Sequence, residues 1–301
     1  MNRKIILITL AIAASAPLLQ SCNQLSREFN ETMREAKEEG MPRYLRDSDK
    51  WGKVVKQSID LDDFSSIRTH GNVDVVYVQT DDETTSILVE GNEKVLPMYD
   101  IALTSDKEWL EVTAKDQKEM RHRVPHIRMT VSMPRLEAME INGAGDFFIR
   151  QKAEFIDSPL HLRINGAGDI RITDLSCTDF LAEINGAGDL DIGSLSVDEN
   201  IAFIINGAGD TNVKEAVSLG NANISLSGAG DIKVKLKCQD LTVNVSGAGE
   251  AKIEVKSQSV DAIAEGTGEI ELKGSTHTFS KKTGGLAKID SKNLEVDTIR
   301  R

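Results

Sequence analysis

From residue 139 onward apolar and polar residues alternate, and a five-residue block interrupts the alternation at regular intervals. The block is Asn142-Gly-Ala-Gly-Asp146. It returns at Asn165–Asp169, Asn185–Asp189 and Asn206–Asp210, then as Ser227–Asp231, Ser246–Glu250 and Glu265-Gly-Thr-Gly-Glu269. Successive acidic residues are 23, 20, 21, 21, 19 and 19 positions apart. Five residues before each acid stand Ile141, Ile164, Ile184, Ile205, Leu226, Val245 and Ala264; three after it stand Ile149, Ile172, Ile192, Val213, Val234, Ile253 and Leu272. The intervening positions are mostly polar. Period two is the signature of a strand with one buried face, and a fixed period near 20 residues marks a stacked-repeat architecture. The pattern therefore predicts an all-β fold, a parallel β-helix of about seven coils. Right-handed winding follows from the crossover rule for parallel strands, and the strand spacing gives a rod of about 30–35 Å.

The alternation keeps its phase across Gly-Ala-Gly. A bent strand would then turn both glycines inward, where Gly signals a bend or a close approach of the opposite wall. A tight turn with positive φ at Gly is the other geometry, and it would reset the phase. The bent strand is the expectation adopted.

Four segments follow in chain order. Residues 1–21 read as a lipoprotein signal peptide, 22–50 as a polar, partly helical tether, 51–138 as an N-terminal β region with the first coil, and 139–301 as the repetitive β-helix with its C-terminal cap. Gly71-Asn72-Val73-Asp74 carries the Gly-x-x-Asp core of the repeat and places the first coil there. Tyr99–Leu103 and Trp109–Thr113, joined by Ser105-Asp106-Lys107-Glu108, predict a hairpin. The aperiodic strands around them would cover one end of the stack, because an open end exposes unpaired edges. Leu286–Ile289 and Leu294–Ile299 would close the other.

The leader has Arg3 and Lys4, an apolar run from Ile5 to Ala14 too short to span a bilayer, and Leu19-Gln20-Ser21-Cys22. That tetrapeptide resembles a bacterial lipobox, which implies cleavage before Cys22 and its acylation. Residue 23 is Asn rather than Asp, so the resemblance implies outer-membrane attachment, with the periplasmic and surface faces both open. In the tether, Leu25, Phe29, Met33 and Ala36 share one helical face; this stripe is weak, so a spacer is preferred to a docking helix. Cys177 and Cys238 lie three repeats apart, ~14 Å at the strand spacing, beyond disulfide reach. Both are expected free and buried.

The net charge of -12, with no basic stripe in the sequence, argues against nucleic acid as a partner. Aromatic residues are scarce, so the core must be aliphatic. The entry strand Ile67…Gly71-Asn72-Val73-Asp74-Val75 and the serial Ser/Asn-Gly-Ala-Gly-Asp block resemble the putative auto-transporter adhesin head (GIN) domain family over about residues 55–290. The resemblance implies a β-helical envelope protein, often with a lipoprotein or secreted leader, and brings no catalytic residues with it.

Two rows are the candidate binding ladder. One is acidic: Asp146, Asp169, Asp189, Asp210, Asp231, Glu250 and Glu269. At ~4.8 Å in water each neighbouring repulsion is of order 1 kcal/mol before screening. Backbone N–H donors near the glycines would offset it. A calcium ladder is the ligand-binding alternative, disfavoured because one acid per coil supplies too few oxygens; no metal or other cofactor is assigned. The second row, Asn142, Asn165, Asn185 and Asn206 with Ser227 and Ser246, is expected to form an amide and hydroxyl ladder. No Trp or Tyr follows Trp109 to stack sugar rings. The histidines are scattered, and Pro125 between His122 and His126 precludes an ordinary zinc-binding helix. Equivalent repeated acids suit architecture better than the paired acid and base of a glycosidase. The reading is a non-enzymatic, membrane-anchored scaffold for a glycan, an envelope protein or a host surface. A periplasmic structural accessory and a carbohydrate-active enzyme are the alternatives.

Overall fold

The computed structural model describes residues 50–81, 85–116 and 126–299. The leader, Cys22, nearly all of the tether and His122 lie outside the described residues. Seven strands form the N-terminal part: β1 (Val54–Ile59), β2 (Ser66–Gly71), β3 (Val73–Gln79), β4 (Ser86–Asn92), β5 (Tyr99–Leu103), β6 (Trp109–Ala114) and β7 (Ile127–Met133). The repeats add β8 (Ala138–Gly143), β9 (Phe147–Glu154), β10 (Leu160–Ile164), β11 (Ile170–Cys177), β12 (Phe180–Ile184), β13 (Leu190–Val197) and β14 (Ile201–Ile205). They continue with β15 (Thr211–Ser218), β16 (Ala222–Leu226), β17 (Ile232–Lys237) and β18 (Asp240–Val245), and end in the long strands β19 (Glu250–Ala264), β20 (Glu269–Thr283) and β21 (Lys288–Ile299).

The result is a parallel β-solenoid of about eight turns. Each strand pairs in parallel with its equivalents one coil away: Ile184 lies between Ile164 and Ile205, and Ile192 between Ile172 and Val213. Because the period is two, alternate positions on these strands enter the same interior, while Leu181, Ala202 and Ile204 fall on the outward phase. Ile164, Ile184, Ile205 and Leu226 form one buried column. Burying a side chain of that size stabilises by about 1.5–3 kcal/mol, and the repeat multiplies that gain coil by coil. Phe147, Phe155, Phe180 and Phe203 are fully buried in the same core.

The phase does hold across the pentapeptide. Gly168, Gly188 and Gly209 are buried while Asn185, Ala187 and Asn206 face out, and no glycine from Gly143 to Gly249 has a left-handed φ. The reason for glycine differs from the one expected. A Cβ on Gly188 would stand 1.9 Å from the carbonyl oxygen of Gly168, one coil back. The close approach is along the stack, not across it to the opposite wall. Among the glycines of the seven pentapeptide blocks φ turns positive only at Gly266, at 86°, in the divergent Glu265-Gly-Thr-Gly-Glu269; Gly71 of the first coil is positive as well, at 116°.

Chain order and stack order part company at the N-terminal end. β2 lies between β6 and β8, and β3 between β7 and β9, so Ile67 packs in register with both Leu110 and Met139. The later strands β6 and β7 thus lie outside β2 and β3 in the stack. Their rim is finished by antiparallel strands: β5 on β6, β4 on β7 and β1 on β4. The β5–β6 hairpin is the predicted one, with Lys107 at φ 62° in its turn.

At the far end the coil continues without the pentapeptide. Residues 277–283 stay in β20, and a single strand, β21, replaces the two short ones expected. Gly284 N–H bonds to Ala264 O at 2.8 Å and Leu286 N–H to Gly266 O at 2.9 Å, so main-chain rungs alone carry the corner. Cys177 and Cys238 are free and buried, and burial pushes both thiols up to about 12.

Candidate functional site

The corner between the two sheets of each coil sets the candidate site. Main-chain rungs cross it at the glycines, as in Ala187 N–H to Gly166 O at 2.8 Å. The next rung is supplied by a side chain. Oδ1 of each aspartate accepts the backbone N–H of the acidic residue one coil on: Asp146 to Asp169 at 2.9 Å, Asp169 to Asp189 at 3.0 Å, Asp189 to Asp210 and Asp210 to Asp231 at 2.9 Å, Asp231 to Glu250 at 2.8 Å. A carboxylate there gains a charge-assisted bond and closes a gap in the parallel ladder.

The row begins one residue earlier than the repeat count gives. Asp74, 3% exposed, accepts the Asp146 N–H at 3.0 Å and also meets His126 Nδ1 at 2.8 Å. Burial and the neighbouring charges of Asp74 and Asp169 hold the Asp146 carboxyl above its ordinary range, although the bond from the Asp169 N–H opposes this. His126 is raised as well: burial works against its charge, but the hydrogen bond and charge of Asp74, with Asp146 beyond, outweigh burial. The row ends where the side chain lengthens. Glu250 turns to Lys252, and the Glu269 N–H bonds instead to Gly249 O at 3.2 Å. In register, a cation follows the acids at each end, Arg128 beside Asp74 and Lys288 beside Glu269.

The amide row is continuous over five coils. Asn165 Nδ2 donates to Asn142 Oδ1 at 2.8 Å, Asn185 to Asn165 at 3.0 Å, Asn206 to Asn185 at 2.9 Å, and Ser227 Oγ to Asn206 at 2.7 Å. Ser246 stands next in the column without a side-chain bond inside the protein among the described residues. His70 takes the equivalent place in the first coil, in register with Asn142. Two residues before this row runs a line that single-residue inspection missed: Arg68, Glu140, Arg163 and Glu183. Arg68 pairs with Glu140 at 2.8 Å, and Arg163 with Glu183 at 2.8 Å. Glu140 and Glu183 lie low for carboxyls. Burial opposes this most at Glu140, where bonds from Asn142 and Arg68 overcome it; at Glu183 the Asn185 bond leads. Arg68 also stacks over Trp109 at 4.3 Å. The signal was a two-residue offset from the Asn row, visible only once the coils are superposed.

Among the described residues no group of three or more His, Cys, Asp or Glu side chains is arranged to hold a metal ion. The acids form a line with one equivalent member per coil, and each aspartate up to Asp231 has one oxygen committed to main chain. The arrangement does not juxtapose a nucleophile with a base or an acid with an opposing carboxylate.

The fold is thus a parallel solenoid whose surface rows are tied by their own side chains. The chain belongs to the family described as putative auto-transporter adhesin, head GIN domain, whose model matches residues 63–237 and 222–300. A putative adhesin of Parabacteroides merdae ATCC 43184 shares the fold at a TM-score of 0.64, with 19% identity over 79% of this chain and 96% of that one. A putative adhesin of Parabacteroides distasonis ATCC 8503 matches at 0.64, with 20% identity over 79% and 97%. A putative lipid binding protein of the same strain matches at 0.61, with 19% identity over 79% and 96%. No curated protein matches the chain.

Proposed function

We propose that the chain is a non-enzymatic scaffold of the cell envelope, held to the outer membrane through acylated Cys22, that presents its Asn/Ser-Gly-Ala-Gly-Asp/Glu rows to a partner. The observation that carries the reading is the continuity of the rows. Five coils of amides and hydroxyls are linked edge to edge beside six backbone-bound acids, giving a surface already ordered before any partner arrives. Preordered side chains reduce the entropy lost on binding. The adhesin-type family and fold neighbours support a binding role.

Protease treatment of intact cells tests the surface-exposed form of the reading. Cleavage of the chain on intact cells, together with loss of attachment in cells lacking it, is the expected result. Complete protection from protease would place it in the periplasm, in an accessory role.

A further inference from the structure

The two sheets of the solenoid differ sharply in charge over the same three coils. On the sheet after the corner, β15, β17 and β19 carry exposed Lys214, Lys233, Lys235, Lys237, Lys252 and Lys256, with Glu215 and Glu254 among them. Lys233 even stacks on Lys252, and Lys237 on Lys256, although like charges directly opposite on a sheet are destabilising. On the sheet before the corner, Ala202 and Ile204 of β14, Asn223 and Ser225 of β16 and Thr242 and Asn244 of β18 carry no charge, nor do Asn206, Ser227 and Ser246 after them; the charges stand at the margins, Asp240 at the start of β18 and Asp210, Asp231 and Glu250 beyond the glycines. Two of these coils present Asn223, Ser225 and Ser227, then Thr242, Asn244 and Ser246. The coils on either side restore charge, with Glu183 before and Asp261 after.

The hydrogen-bonding state of this neutral tile sets it apart as well. In earlier coils the outward polar groups bind one another, through the amide row and the Arg–Glu line. Within the tile that mutual pairing stops at Ser227. Among the described residues the side chains of Asn223, Ser225, Thr242, Asn244 and Ser246 make no bond inside the protein, so their donors and acceptors face outward. They are held at the fixed spacing of parallel strands, ~4.8 Å between coils and ~6.6 Å between alternate residues. Amides and hydroxyls both donate and accept, as sugar hydroxyls do. A charged polymer would gain nothing there that the opposite sheet does not offer more strongly. A protein partner of ordinary interface composition would bring apolar anchors for which the tile has no pocket.

We infer that the outward face of β14, β16 and β18 is a docking tile for a neutral, uncharged polysaccharide. This rests on the scaffold reading above. The tile covers on the order of 300 Å², room for a short run of sugar rings. With no aromatic side chain on it, contact through one chain is weak, near the millimolar range. Many anchored copies along one polymer convert that weak contact into firm attachment.

The test uses the full chain, solubilised in detergent and coupled densely to beads. The probes are dextran, mannan and laminarin as neutral polymers, and polygalacturonate and hyaluronate as acidic ones. The expected result is retention of at least one neutral polymer, unaffected by salt. Retention should fall at least tenfold in Ser225→Asp and Asn244→Asp and stay unchanged in Lys237→Ala, with the melting temperature preserved in all three. Retention of acidic polymers alone, falling with salt and lost in Lys237→Ala, overturns the inference in favour of the opposite sheet. It is also overturned if the tile variants retain a neutral polymer unchanged, if no neutral polymer is retained, or if Ser225→Asp abolishes only self-association seen by sedimentation. Cell attachment separates the two levels. If Ser225→Asp leaves attachment intact, the tile is wrong and the scaffold stands; if deleting the whole chain leaves it intact, the scaffold reading itself falls.

Discussion

Oδ1 of Asp189 accepts the backbone N–H of Asp210 at 2.9 Å, one coil further along the stack. A side chain here does the work of a main-chain carbonyl, and it does so at the bend where the glycine rungs leave off. Replacing Asp189 by Ala leaves that N–H without its acceptor. The expected destabilisation is about 1–3 kcal/mol. Asp189→Asn keeps an acceptor at the same reach and removes one repelling charge, so it should cost under about 1 kcal/mol. Urea titration of the two variants decides the matter; equal losses would show that the charge, not the acceptor, is what counts.

Gly188 and Ala187 are adjacent, yet their tolerances should be opposite. A Cβ on Gly188 would meet a main-chain carbonyl at 1.9 Å, and backbone cannot swing aside as a side-chain tip can. Gly188→Ala should cost at least about 3 kcal/mol, the upper end of overpacking penalties. Ala187→Ser, on the exposed side, should change stability by less than about 0.5 kcal/mol. Thermal melts of both proteins test this, and a well-behaved Gly188→Ala protein would contradict the stacking geometry.

Stability should also depend on pH through His126. Its imidazole is raised above the ordinary 6.5 in the folded chain, so the folded state binds the proton more tightly than the unfolded one. The stabilisation is fully present below the unfolded value and is lost as pH rises through the folded one. Asp146 is raised too, so its protonation favours the fold only at the acidic end and does not offset the loss. Melting temperature should therefore fall as pH climbs from about 6 to 8, and His126→Gln should flatten the slope. A slope unchanged by that substitution would assign the dependence to other groups.

Calcium offers a further check on the acidic row. Each aspartate from Asp146 to Asp231 already gives one oxygen to the main chain, so chelation should leave the melting temperature unchanged. A rise on adding millimolar calcium would mean selective binding to the folded state and would restore the ion ladder.

Anchoring is tested at Cys22. Cys22→Ala should move the chain from the membrane fraction to the soluble fraction, since each buried methylene of a lost acyl chain contributes about 0.8 kcal/mol. Membrane retention of the variant would point to another attachment.

The solenoid was legible because alternation and period act together: Ile141, Ile164 and Ile184 could share one interior only if the coils stack. The Asn row was legible for the same reason. The outer place of β6 and β7 was hidden, since Arg128 occupies the register position held elsewhere by an acid. The Gly-x-x-Asp core at Gly71–Asp74 placed the first coil, but the bond from the Asp146 N–H to Asp74, across 72 residues, was not legible from it. The role of the aspartates was half visible. Backbone donors were foreseen, but not that each donor belongs to the next coil. The change from Asp to Glu at 250 was the written sign that the side-chain rung stops there.

The interleaving of the first coils constrains how the chain can come to its shape. Strands at 66–79 have their outer neighbours at 109–133 and their inner ones at 138–154. A chain emerging from its N-terminus cannot lay coil upon coil. The segment that appears first must wait, bare on both edges, while a later one passes to its outside and a third to its inside. Pairing of these coils therefore cannot follow chain order: the strands at 66–79 gain both neighbours only once the chain has been made as far as residue 154.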